Sequence, residues 1–196
     1  MSEFQAYFET GVDHILDVNG YDHIVFVVVL CAVYLTRDWK QILILVTAFT
    51  VGHSITLALS TFQIISFKTE LIEFLIPLTI FITAVSNFLK NENSVSSGSQ
   101  KINYFFAGFF GLIHGLGFSS YLRSILRRDE NIATQLLAFN LGLELGQLII
   151  VAIFMTAAFI LVDLFGVNRR DWKMVISSAI AGIALVLMKD NAYWID

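Results

Sequence analysis

Charge is scarce in this sequence: Asp, Glu, Lys and Arg make up 14% of its 196 residues, against roughly 25% in soluble domains. That shortage, with a mean hydropathy of +0.74, excludes an aqueous globule and makes lipid the solvent for most of the chain. Cysteine occurs once, as Cys31 inside an apolar run, so no internal disulfide forms and the residue reads as a small core filler. Proline also occurs once, as Pro77 inside another apolar run, where it is expected to kink a helix that a packed bundle tolerates. His-Glu-x-x-His, Gly-x-Ser-x-Gly and P-loop patterns are all missing, which removes the familiar soluble hydrolases and any transport driven by the chain's own ATP hydrolysis. The segment from Met1 to Asp17 holds Glu3, Glu9, Asp13 and Asp17 but no Lys or Arg, the reverse of a signal peptide's basic start, so the N-terminus is expected to be retained. With a net charge of -4 and scattered basic residues, nucleic acid is not an expected partner.

Apolar residues, by contrast, make up 57% of the chain, in continuous runs that lack the alternation of a barrel. A bilayer core of roughly 30 Å takes about 20 residues to cross as a helix. The runs therefore predict an all-α membrane protein: one domain over residues 1–196, with six transmembrane helices near 21–35, 41–62, 71–89, 102–122, 132–165 and 174–188. Ahead of them, residues 1–19 read as an amphipathic helix lying at the interface or folded onto the bundle mouth. There Phe4, Tyr7, Phe8, Val12, Ile15 and Leu16 recur at helical spacing, opposite Thr10, Asp13, His14 and Asp17. Asn19-Gly20 breaks this helix. The first crossing has an apolar core of only Ile24 to Leu35, so either the bilayer thins there or Asp22 and His23 sit at membrane depth. The polar run within 91–101 reads as a flexible loop between two three-helix halves. Loops after the odd-numbered spans hold seven Lys/Arg and the other side five, a small bias that places both termini outside.

Polar residues inside apolar runs are costly, and here they recur. An ionised Asp at a helix centre costs about 2.5 to 3.5 kcal/mol even on lenient insertion scales, so Asp22 and Glu144 need a partner, a proton or water. A divalent cation would serve both, and His23, His53 and His114 would complete a mixed N/O sphere suited to Ni, Co or Zn rather than Cu(I). Each residue has a plainer role as well. His53 and His114 also suit hydrogen bonding inside a bundle, and Asp22-His23 suits a helix cap with a snorkelling His. Glu144 suits a buried proton carrier or a residue held by Asn140 and Gln147, and His14, a further candidate ligand, suits a solvated place on an interfacial helix. Thr50, Ser54, Asn140 and Gln147 read as residues supporting the ligands from behind. Gly111, Gly115, Gly117, Gly142 and Gly146 lack the side chains that keep helix backbones apart. No residue is assigned a catalytic role.

Four segments carry a resemblance: Gly20 to Phe26, Phe49 to Ala58, Phe110 to Phe118 and Phe139 to Leu148. Through them the chain resembles the HupE/UreJ family of membrane proteins, associated with hydrogenase and urease gene clusters and regarded as nickel or cobalt permeases. The resemblance implies metal handling at the Asp-His, His-Ser, His-Gly and Asn-x3-Glu segments, here Asp22, His23, His53, His114 and Glu144. It also implies a place in the bacterial cytoplasmic membrane. The family often carries a His closer to its Asp-His pair than His14 lies here. The expected function is thus a divalent metal permease whose partners are the lipid bilayer and the metal ion, with a homo-oligomer compatible. The alternatives are an intramembrane zinc-dependent hydrolase, or a metal-binding accessory or sensor protein without transport.

Overall fold

In hydrocarbon every backbone N–H and C=O must be satisfied within its own segment, which long apolar runs achieve as helices. The computed structural model describes residues 2–90, 97–125 and 132–192, and among the described residues no strand occurs. The elements are α1 (Glu3–Leu16), α2 (Asp22–Cys31), a 3-10 turn (Thr36–Asp38), α3 (Trp39–Thr61), α4 (Thr69–Leu89), α5 (Ser97–Gly117), α6 (Ser119–Ile125), α7 (Ile132–Ala158) with a π-helical extension (Phe159–Leu164), and α8 (Arg169–Asp190). Most of the expected loop over 91–101 lies outside the described residues, and α5 has already begun at Ser97.

Four stretches are long and apolar enough to cross a bilayer: Thr36–Thr61, Thr69–Leu89, Ile132–Leu164 and Arg169–Asp190. A fifth is α5 with α6, bent by 49° at Phe118, where a straight helix was expected. The sixth expected helix is not a span by itself. α2 has only 10 residues, about 15 Å at 1.5 Å per residue and half of a bilayer core.

Helix directions account for the short α2. Gly11 lies on the backbone of Phe139 and Leu143, Gly142 on that of Phe8 and Val12, and Gly146 against Ile15. These contacts advance together in sequence, so α1 runs parallel to α7. Asp22 shares a cleft with Glu73, and Asn87 Nδ2 donates to the Val29 carbonyl at 2.9 Å, so α2 runs parallel to α4. Both α1 and α2 lie antiparallel to α3. The pairs Thr36–Asp163 and Thr50–Gln147 set α7 against α3, and the rings of His23 and Phe26 meet those of His53 and Phe49. The chain therefore enters as α1, breaks over 17–21, and continues in the same direction as α2. The N-terminal helix belongs to the bundle instead of floating at its interface, because Tyr7, Gly11 and Ile15 bury a stripe against α7.

The most extensive pairing joins α3 to α5. Gly52, Gly111 and Gly115 each face backbone of the opposite helix, at Gly108, Phe49 and His53. Such close approach replaces side-chain interdigitation with backbone contact, which lipid-embedded helices favour. At the far end Asp38 Oδ2 accepts from the Leu35 amide at 3.0 Å, and Arg169 donates to the Val33 carbonyl at 2.9 Å, fixing the turn from α2 into α3. α4 runs continuously through Pro77; the Thr79 hydroxyl donates to the Ile76 carbonyl at 2.7 Å beside the missing proline N–H.

Candidate metal centre

Four imidazoles carried by four helices converge in this frame. His14 lies in the last turn of α1, His23 follows Asp22 in the first turn of α2, His53 is on α3, and His114 stands one turn before the bend that ends α5. The break over 17–21 is what lets α1 and α2 each bring an end to the same place. Ring centroids are 4.6 Å apart for His14 and His23, 5.3 Å for His23 and His114, and 6.2 Å from His53 to both His14 and His23. One ligand atom from each of His14, His23 and His53 lies within 4.8 Å of the others, and the same holds for Asp22, His23 and His114. His23 is common to both groups.

Burial makes the arrangement chemically pointed. His53 and His114 are fully buried and His23 nearly so. Among the described residues, five imidazole nitrogens have no hydrogen-bond partner: Nε2 of His14, Nε2 of His23, both nitrogens of His53 and Nδ1 of His114. A buried polar atom left unsatisfied costs about 1–3 kcal/mol, and folded proteins seldom leave one. Two tautomers follow from the bonds that do exist. The Asp22 carboxylate accepts from His23 Nδ1 at 3.1 Å, which leaves the Nε2 lone pair free. Thr79 spends its only hydroxyl proton on the Ile76 carbonyl, so at 3.2 Å it accepts from His114 Nε2 and leaves the Nδ1 lone pair free. Carboxylate or hydroxyl partners behind an imidazole are the usual way to aim its other nitrogen at a metal. Thr79→Val is therefore expected to weaken metal binding about 10- to 100-fold while leaving the fold intact, as measured by titration of the purified protein.

A layer of phenyl rings lies one helical turn from the imidazoles, toward the end that carries the 3-10 turn. Phe26, Phe49 and Phe110 come from the same three helices as His23, His53 and His114, and all are buried. Phe26 and Phe49 stand 4.8 and 5.2 Å from the His114 ring and 4.9 Å from each other. On the opposite side, two clefts reach the centre from the face where α1 joins α2. One, of about 230 Å³, is lined by Asp22, Glu73 and Pro77; the other, of about 650 Å³, by Asp13, His14 and Asp17. Phe118, at the α5–α6 bend, sits 3.7 Å from the His14 ring and stacks on Phe139.

The remaining sequence candidates fall elsewhere. Glu144 is in neither group; its Oε1 accepts from Thr47 at 2.8 Å. Thr50 donates to Gln147 Oε1 at 2.8 Å, a buried tie between α3 and α7, while Ser54 donates to the Thr50 carbonyl and Asn140 to that of Leu136. Gly117 faces Ile76 and Ile72 of α4. Thr79 and the phenyl layer are absent from the sequence candidates. A signal for Thr79 exists in the polar stripe Thr79, Thr83, Asn87, whose members recur every four residues on α4.

A family model described as HupE / UreJ protein matches residues 1–195, essentially the whole chain. No curated protein and no solved structure matches it.

Proposed function

The chain belongs to the HupE/UreJ family, and on that premise we propose that it is a permease for a divalent transition-metal ion, nickel or cobalt in the first place and zinc in the second. One observation carries this reading: unpartnered imidazole nitrogens, buried among apolar helices, are gathered from four helices into two ligand groups that share His23. Imidazole nitrogens with one carboxylate suit these borderline ions better than Mg or Ca, which prefer all-oxygen shells.

The ion is the substrate, and the residues act on it in sequence. Asp13 and Asp17 at one cleft, and Asp22 and Glu73 at the other, draw cations toward the centre. The imidazoles then replace waters of the hydration shell, which offsets the cost of taking a double charge into the bundle. The phenyl layer of Phe26, Phe49 and Phe110 closes the far side, so release there requires those rings to part. Breaks at 17–21 and at Phe118 are the places where short helical segments shift without disturbing the long ones. A doubly charged ion gains about 4.6 kcal/mol on moving down 100 mV, enough for roughly three decades of accumulation without ATP.

Proteoliposomes containing the purified chain test the proposal. Offered Ni, Co, Zn and Mn under an inside-negative potential, they are expected to accumulate one or more of these ions far beyond the protein's own binding capacity, and to stop when the potential is collapsed. Metal that stops at one or two ions per protein, whatever the potential, overturns transport and leaves a binding or hydrolytic centre. In the hydrolytic case Asp22 is the only carboxylate in either group to serve as base.

A further inference from the structure

Away from the imidazoles, α4 and α5 part to leave a cleft of about 110 Å³ with two unlike ends. Its floor is formed by Leu30, Leu45 and Phe110, all buried, and its rims are Ile82 and Phe106, which are 45% and 46% exposed and face outward from the bundle. The cleft thus opens sideways, where an embedded bundle meets hydrocarbon. Its other end is polar, with Asn87, Lys90, Asn103 and the Tyr34 hydroxyl.

Lys90 lines that polar end, and a second ammonium, that of Lys173, stands behind it. Lys173 of α8 is buried and donates from Nζ to the Lys90 carbonyl, while Lys90 Nζ donates to Asn87 Oδ1 at 3.3 Å. No carboxylate pairs with either ammonium among the described residues. Burial and the neighbouring Lys173 push the Lys90 amine down to about 8. An anion placed here would relieve both effects. A divalent cation would be repelled, so this cleft is not a continuation of the metal path.

We propose that the cleft between α4 and α5 binds an anionic membrane phospholipid, one acyl chain lying between Ile82 and Phe106 and the headgroup phosphate held at Lys90, with Lys173 adding its charge from behind. Apolar space alone would take any chain; the Lys90 ammonium at the polar end, backed by Lys173, selects the charge. The cleft shares Phe110 with the phenyl layer but uses none of the imidazoles, so the lipid proposal and the permease proposal are tested separately.

Native mass spectrometry of the full-length protein in detergent, offered equal amounts of phosphatidylglycerol and phosphatidylcholine, tests it. The wild type is expected to retain phosphatidylglycerol preferentially, and Lys90→Gln to lose about fivefold of that preference, the usual effect of one lysine at an anionic surface. Ile82→Trp, a change at an exposed position that fills the cleft mouth, is expected to lower retention of both lipids with an unchanged melting temperature. Equal retention of the two lipids by the wild type overturns the proposal, as does a preference untouched by Lys90→Gln. Displacement by glycerol phosphate at the lipid's own concentration also overturns it, since that result describes a phosphate site that makes no use of the chain.

Discussion

Potential-driven uptake is expected to fall by at least about 100-fold in His23→Ala, the upper end of what losing even a supporting residue costs a metal site. His23 is the one residue shared by the two ligand groups, so its loss leaves His14 with His53 on one side and Asp22 with His114 on the other. Neither remainder is a three-ligand site. His14→Ala and His114→Ala each dismantle one group and leave the other whole, so each is expected to reduce uptake less than His23→Ala, and the double variant to match it. Such non-additivity is normal for residues that act as a unit. Glu144→Gln provides the contrast: its carboxylate bonds to Thr47 away from both groups, and uptake is expected to stay within the wild-type order of magnitude. Ion flux into proteoliposomes, with bound metal counted in parallel, reads all five variants. A Glu144→Gln variant as dead as His23→Ala would mean that Glu144 joins the ion in another conformation and that the centre is larger than these two groups.

How far this centre is legible in the sequence differs from element to element. Hydropathy marks the apolar runs well, since nothing but an apolar surface survives against lipid, and the cost of intramembrane charge singles out Asp22, His23, His53 and His114 as residues in want of a partner. The first crossing is harder. The apolar run Ile24 to Leu35 reads as a crossing of its own, and α1, with polar residues on one side, does not; only the parallel packing of α1 on α7 shows that α1 and the short α2 form one interrupted passage. His14 illustrates the consequence. Its amphipathic pattern is the same for a helix on a membrane surface and for one buried along a single stripe, and Gly11, one turn before it, is the feature that distinguishes them, since a glycine there serves backbone contact with α7. Glu144 shows the opposite limit. Being one helical turn from Asn140 says which side of α7 it is on, but not which neighbour that side meets, and the neighbour is Thr47.

Among glycines, substitution is expected to divide sharply by position, and Gly115 is the severe case. A Cβ built there would fall on the His53 carbonyl oxygen and the Thr56 hydroxyl, closer than real atoms approach. The His53 carbonyl cannot move without α3, so Gly115→Val must push α3 and α5 apart. Overpacking typically costs about 1–3 kcal/mol, and more where backbone has to shift. Gly111→Val meets Phe49 and His53 backbone in the same way. Both changes separate His53 from His114, so metal binding and thermal stability are expected to fail together. Gly182 has nothing within 4 Å of the corresponding point, and at Gly108 the nearest atom is the Ala48 oxygen at 3.4 Å, an ordinary contact. Alanine at these two is expected to be neutral or stabilising by up to about 1 kcal/mol, the helix-propensity difference between the residues. The four variants, compared by thermal unfolding in one detergent, separate close packing from propensity: if Gly115→Val melted like Gly182→Ala, the contact between α3 and α5 would not be the seam that brings the imidazoles together. If it unfolds while Gly108→Ala does not, the backbone seam is what holds α3 and α5 close enough to bring the imidazoles they carry to the same end of the bundle.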